Sequence, residues 1–161
     1  MAVDIFMKIK GIEGESKDDK HKNEIDVLSW SWGATQIGSA GMGGGAGSGK
    51  VNVHDLNFTK PVDKASPDLF MKCCTGEHYD EAILTMRKAG GSPLEFLKIT
   101  MFGEVFVTSV QHGSAHGADS QTENVTLNFS KVKLEYAEQT EKGAAGAQPK
   151  AGFDIKANKK M

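Results

Sequence analysis

Residues 38–50 (Gly-Ser-Ala-Gly-Met-Gly-Gly-Gly-Ala-Gly-Ser-Gly-Lys) offer almost no side chain to bury, so any fold of this chain must carry them outside its core. Gly44, Gly49 and Lys50 stand at the G-x-x-x-x-G-K spacing of a loop that cradles phosphates in backbone N–H groups. That chemistry also needs a buried strand before the loop, a Ser or Thr after the lysine for magnesium, and a helix N-terminus facing the phosphates. Val51 occupies the Ser/Thr place, Thr35, Gln36 and Ile37 do not make a buried parallel strand, and residues 51–58 alternate as a strand does. The plainer expectation is a long flexible arm between two strands.

The rest of the chain reads as strand after strand. Val3, Ile5, Met7 and Ile9 alternate with Asp4, Lys8 and Lys10, the pattern of a half-buried strand. In residues 24–33, Ile25 and Val27 give way to Leu28, Trp30 and Trp32, so the apolar face shifts by one residue. A one-residue shift turns every side chain to the other side, which predicts a bulge or sharp coil near Val27 and Leu28. The same change recurs at His54 and Asp55 within residues 51–60, and at Ser130 and Lys131 within residues 122–136. Residues 82–88 and 95–110 supply two more strands, the second with Gly103 as a bend. Beyond the small-residue stretch 143–152, Phe153 and Ile155 suit one closing strand. One helix is expected at about residues 67–75, with Ser66 as N-cap, Pro67 in the first turn, Asp68 at the positive end and Gly76 as the stop. Leu69, Phe70 and Cys73 would form its apolar stripe. Strands that switch their inward set midway suit a coiled barrel, so the expected fold is mainly β: a single-domain β-barrel of two sheets with one short helix.

At 161 residues the chain is long enough to bury one real core as a single domain. Nineteen basic and 21 acidic residues leave a net charge of −2, which recommends neither nucleic acid nor an anionic membrane as partner. No apolar run reaches the length of a membrane span. Asp4, Lys8 and Lys10 interrupt what a signal peptide would need as its apolar region, so synthesis in the cytosol without that export signal is expected. Cys73 and Cys74 are neighbours and supply no disulfide framework.

The candidates for chemistry each have a plainer explanation. Glu13, Glu15, Asp18 and Asp19 are interleaved with Lys17, Lys20 and Lys22, which suits a solvated loop better than a calcium site. Cys73 and Cys74 with His78 would make a thiol and base, but the last turn of a helix opposes thiolate formation, and buried structural cysteines are expected instead. His112, His116 and Asp119 lie in a glycine-rich turn, expected to be solvated. Trp30 and Trp32 on one strand face read as core anchors rather than a stacking platform. No Ser-His-Asp or paired-carboxylate signature stands out. No catalytic, cofactor or metal site is expected.

Several blocks in order resemble one family. They are Gly14-Glu15-Ser16 with Asp19 and His21; Ser29-Trp30-Ser31-Trp32-Gly33; the glycine arm; and Asp55-Leu56-Asn57-Phe58-Thr59-Lys60 followed by Asp63, Lys64, Ser66 and Pro67. Arg87-Lys88-Ala89-Gly90-Gly91 and Glu123-Asn124-Val125-Thr126-Leu127-Asn128-Phe129 complete the set. Together they resemble the haemolysin-coregulated protein (Hcp) family of bacterial type VI secretion systems, related in fold to phage tail-tube proteins. The likeness is in register across nearly the whole chain, which implies one tube domain over residues 1–161, and it is weakest at 113–120 and 141–161.

The resemblance implies a β-barrel subunit that closes into homohexameric rings, stacks into a tube and leaves the cell with it. The implied partners are further copies of the chain, sheath and spike components, and small effector proteins in the lumen. Under it the arm, represented by Gly38, Met42, Gly44, Gly49 and Lys50, is expected to contact a neighbouring subunit or ring; thirteen extended residues reach about 45 Å. Because Leu28, Trp30 and Trp32 alternate with Ser29 and Ser31, the two serines fall on the opposite face and are expected to line the lumen. Two other classes stay open at this point: a monomeric β-sandwich ligand-binding module using Trp30 and Trp32, and a nucleotide-binding protein acting through residues 44–50.

Overall fold

In the computed structural model, residues 2–38, 40–41, 49–88, 93–140 and 145–161 are described. Their strands are β1 (Val3–Ile9), β2 (Ile25–Asp26), β3 (Ser29–Ser31), β4 (Ala34–Thr35), β5 (Asn52–Val53) and β6 (Leu56–Pro61). After α1 (Ser66–Thr75) come β7 (His78–Lys88), β8 (Glu95–Gly113), β9 (Thr122–Tyr136), β10 (Lys150–Asp154) and β11 (Lys159–Lys160). The main sheet runs β11-β10-β9-β8-β7-β1-β2, with β6 pairing both β9 and β3, while β4 and β5 form a separate ribbon. The mainly β class with one short helix is as expected. Strands β7 and β8 are longer than the alternation predicted, starting at His78 and ending at Gly113.

Among the described residues the expected closure into a barrel does not form. Val27 N donates to Ile5 O on β1 at 3.0 Å, and Leu28 N donates to Thr59 O on β6 at 2.8 Å. The change of phase predicted at these two residues is therefore a change of partner strand. One stretch of chain bridges β1 and β6 covalently, and no continuous ladder joins them. Leu28 sits at this corner 56% exposed and does not join Trp30 and Trp32 on the inner face, contrary to the alternation.

The phase change in β9 has a visible cause on its neighbour. Val125, Leu127 and Phe129 are buried, and then Val132, so the inward set shifts across Ser130 and Lys131. Opposite them Gly103, at φ 81°, breaks the β8 register between Phe102 and Val105. Ser130 Oγ fills the bend, donating to Phe102 O at 3.3 Å and accepting from Glu104 N at 3.2 Å. The two halves of β9 then serve different partners: the first pairs with β6 and the second with β10, where Phe153 faces Val132.

The core lies on the inner face of the sheet. Met7, Ile25, Leu56, Phe58, Leu84, Ile99, Met101, Val105 and Leu127 are all at most 1% exposed, each worth about 1.5–3 kcal/mol of transfer free energy for the larger side chains. Helix α1 packs against β8 and closes this core with Leu69, which is 0% exposed. Its stop is as predicted: Gly76 adopts φ 74° and its N–H bonds Lys72 O at 3.0 Å. Its start differs. Ala65 is the N-cap and makes no side-chain cap, because the Ser66 hydroxyl turns inward. Phe70 is 50% exposed, so the apolar stripe narrows to Leu69 and a half-buried Cys73. Cys74 is exposed, which corrects the expectation that both thiols are buried.

Residues 11–23 are also less solvated than their charge suggests. Gly14, Ser16 and His21 are buried, and a Cβ at Gly14 would collide with the Glu24 and Ile25 backbone. Arg87 on β7 holds Asp18 with both terminal nitrogens and reaches Asp4 at 3.1 Å.

Candidate functional site

The feature best suited to a surface role is the outer face of β3, β6 and β9. Strand pairing places Ser29 beside Thr59 and Ser31 beside Asn57, and it sets Asn57 beside Thr126 and Thr59 beside Asn124. Paired residues share a side of a sheet, so these six side chains form one surface. The amides cross-link it. Asn57 Nδ2 donates to Thr126 Oγ1 at 2.8 Å, and Asn124 Nδ2 donates to Asn57 Oδ1 at 2.9 Å and Thr59 Oγ1 at 3.0 Å. Ser109 and Gln111 of β8 extend the same face. None of these positions is charged, although a quarter of the chain is. Asp55 marks the border, accepting from Asn128 Nδ2 at 2.8 Å and Thr108 Oγ1 at 3.1 Å. Ser29 and Ser31 are exposed and so belong to a wider wall of hydroxyls and amides. The rest of that wall was readable in the alternation of Asn57 and Thr59 with Leu56 and Phe58, and of Asn124 and Thr126 with Val125 and Leu127.

Next to the wall the β4–β5 ribbon carries the glycine arm. Ala34 pairs with Val53 and Thr35 with Asn52. The ribbon base is bolted to the body: Trp32 Nε1 donates to His54 O at 2.9 Å, and His54 N donates to Gly33 O at 2.9 Å. The Trp32 ring leans on Phe129 at 6.3 Å. Gly38, Lys50 and Ile37 are exposed, Ile37 by 78%, and a side chain at Gly38 would meet open space. Met42 and Gly44 lie outside the described residues. A nucleotide cradle finds no support here, since β5 follows Lys50 two residues on where a helix would be required. Trp30 Nε1 donates to Met86 Sδ at 3.1 Å, and both tryptophans pack against the core, which leaves no open platform for ligand stacking.

On the inner side of the same strands sits a buried charge network. Lys60 and Glu123 face each other across β6 and β9, and each side chain is 0% exposed. Lys60 Nζ donates to Glu123, to Asp63 Oδ1 at 2.8 Å and to Ser66 Oγ at 3.2 Å. Ser66 Oγ donates to Glu123 Oε1 at 2.6 Å, and His112 Nε2 meets Glu123 Oε2 at 2.6 Å. Burial pushes the Glu123 carboxyl up, but hydrogen bonds from Lys60 and Ser66, the Lys60 charge and the His112 contact outweigh it and hold it below its ordinary value. The cluster does not activate a nucleophile. The Ser66 hydroxyl spends its proton on a carboxylate and accepts from both Lys60 and the Asp63 N–H at 3.0 Å. It joins α1 to the sheet instead. His112 was expected in a solvated turn; it ends β8 and caps this network, while His116 and Asp119 stay exposed. Among the described residues no group of three or more His, Cys, Asp or Glu is placed to hold a metal ion, and no helix is long and apolar enough to cross a membrane.

Comparison with known proteins gives one answer. The family model "Type VI secretion system effector, Hcp" matches residues 6–136. Protein hcp1 of Pseudomonas aeruginosa is 54% identical over 160 residues, covering 98% of each chain. The crystal structure of Hcp1 from Salmonella typhimurium superposes with a TM-score of 0.80 at 45% identity over 100% of both chains. A structure described as a type six secretion system protein reaches a TM-score of 0.92 at 31% identity, over 99% of this chain and 100% of the other.

Proposed function

This chain belongs to the Hcp family of type VI secretion proteins, and from that premise we propose that it is the ring-forming subunit of the secretion tube. Six copies close head to tail, the rings stack, and the tube leaves the cell without passing through general secretion. The wall of Ser29, Ser31, Asn57, Thr59, Asn124 and Thr126 faces the lumen, where small effectors are carried. The arm of residues 38–50 reaches a neighbouring subunit or ring, and the outside of the tube meets sheath and spike components.

The observation that carries this reading is the uncharged wall. A face left in bulk solvent ordinarily bears lysine and glutamate, and a buried interface ordinarily bears apolar side chains. Hydroxyls and amides alone suit a surface that must meet varied cargo through hydrogen bonds while presenting no apolar patch. The head-to-tail interface supports a ring when its rotation closes, and stacking of rings supports an open filament. Among the described residues the terminal strand β11 ends the sheet path with one side unpaired, and such edges are normally covered.

Mass in solution tests the assembly. Light scattering at micromolar concentration is expected to give about six times the 17.3 kDa of one chain. A monomer at every concentration refutes the ring.

A further inference from the structure

The geometry around His21 leads us to propose that this residue is a proton-operated clamp, tying the loop of residues 11–23 to β8 through Glu95. The ring is 7% exposed. Its Nδ1 lies 2.7 Å from Glu24 Oε2, and its Nε2 lies 2.6 Å from Glu95 Oε1. Carboxylate oxygens only accept, whereas a neutral imidazole offers one donor and one acceptor. Two contacts of this length to two carboxylates therefore need two N–H groups, and the clamped ring is the imidazolium. Flat stacking on Phe6, with centroids 4.3 Å apart and planes 10° apart, fixes the ring so that it cannot turn to find other partners.

The contact that gives way on loss of a proton follows from the exposures. Glu24 is 13% exposed and lies three residues along the same loop, so it stays with the ring. Glu95 is 44% exposed and comes from the distant strand β8, and its carboxylate can turn into water. Deprotonation thus opens the tie between loop and sheet. The second tie, Arg87 to Asp18, involves no group that changes charge in the same range.

The surrounding charges come from every element packed on the ring. Strand β1 presents Asp4 and Lys8 on the Phe6 side, and β2 presents Asp26 directly beside Phe6. Strand β7 adds Arg87, and β8 adds Lys98 besides Glu95. The loop itself contributes Asp18 and Lys20, the latter lining the same depression as Arg87 and Glu95, and Glu24 follows the loop directly. The clamp is closed while the ring carries both protons and opens when it gives one up.

Hydrogen exchange on the full chain, read by mass spectrometry, tests this. The peptide spanning residues 11–24 contains the Gly14, Ser16 and Asn23 amides, which bond Asn23 O, Glu24 O and Ser16 O. After correction for intrinsic exchange, its protection is expected to fall about tenfold between about pH 5 and about pH 8, the range in which imidazoles change charge. A peptide within β9 should stay flat. In Glu95→Gln, at a half-exposed position that the fold tolerates, the amide can accept from or donate to the ring, so either protonation state is held. The fall should vanish with the loop still protected. Flat protection of the wild-type loop overturns the clamp, as does a Glu95→Gln loop that retains the full pH-dependent fall.

Discussion

Removing one half of the buried pair under α1 is the sharpest test of how this fold is held. Lys60→Met keeps the volume and the apolar stem but deletes the ammonium. Glu123, 0% exposed, then loses its charged donor, and Asp63, 8% exposed, loses one as well. Leaving a buried charge uncompensated costs about 3–5 kcal/mol, a large share of the roughly 5–15 kcal/mol that stabilises an ordinary domain. At a urea slope of about 2 kcal/mol/M, the unfolding midpoint should drop by about 1.5–2.5 M. Tryptophan fluorescence is a suitable probe, because Trp30 and Trp32 are packed against the core.

The double variant Lys60→Met with Glu123→Leu separates a missing partner from a missing interaction. It removes both charges, and its remaining polar groups have alternatives. His112 is 50% exposed and can turn to water, and Asp63 still accepts from the Ala65 N–H at 2.9 Å. More than half of the lost stability should return, since replacing a whole buried pair with apolar groups is often near neutral. Self-association adds to apparent stability, so each difference should be measured at two protein concentrations and must agree. A single variant within about 1 kcal/mol of wild type, or a double variant no better than the single, would refute the assignment of this network as the seam between helix and sheet.

Acid should undo both this seam and the tie between Arg87 and Asp18. Glu123 and Asp18 are both held below their ordinary values of 4.5 and 3.8, the latter chiefly by the Arg87 hydrogen bonds, so their contribution is present above those values and lost as pH falls through the depressed ones. Stability against urea should therefore decline below about pH 4.5, with a shallower decline in Glu123→Gln. Gly103→Ala should destabilise by about 1–3 kcal/mol, because the residue sits at φ 81° and a Cβ would collide with Ser130 Oγ; Ser130→Ala in the same chain should recover the steric part, as read from thermal melts. Shortening residues 38–49 should leave the fold intact by circular dichroism, since no buried residue lies there among those described, while lowering the mass seen by light scattering and abolishing secretion. An unfolded product would mean that the arm belongs to the core. Ser31→Gln, together with a bulky residue at Ser29, should leave assembly intact and reduce effector co-purification, and unchanged retention would put the wall outside the ring.

Alternation carried most of the fold because period-2 patterning reports which face is buried, and the changes of phase marked real events. The shift at Val27 and Leu28 is a change of partner strand, and the shift at Ser130 and Lys131 answers the bend at Gly103. What alternation does not report is whether a curved sheet closes, because closure depends on pairing between strands far apart in sequence. It also failed at the corner residue Leu28, and the helical period failed within α1 at Phe70. Both are apolar in type yet exposed, each next to a residue whose burial is fixed by a neighbour: Val27 bonded to β1, and Leu69 under the helix. The loop of residues 11–23 was misjudged for a related reason. Its charges looked solvated because their partners, Arg87 and Glu95, are some seventy residues away in the chain.

The candidate site was legible in the same letters once the two faces of β6 and β9 are separated. Lys60 stands at the inward parity set by Leu56 and Phe58, and Glu123 at the inward parity set by Val125 and Leu127. A charge at an inward position needs a partner, and the register brings these two side by side. The outward positions of the same strands read Asn57, Thr59, Asn124 and Thr126, without one charge. The usual arrangement, apolar within and charged without, is thus inverted at this end of the sheet. Its ionic groups are buried where they fasten α1, and its outer face is left neutral. Solubility alone would favour the opposite placement. A face kept free of charge on strands that do carry charge is better explained by what that face must meet, and under the proposed ring it would be the inner wall, where charge would bind cargo most selectively.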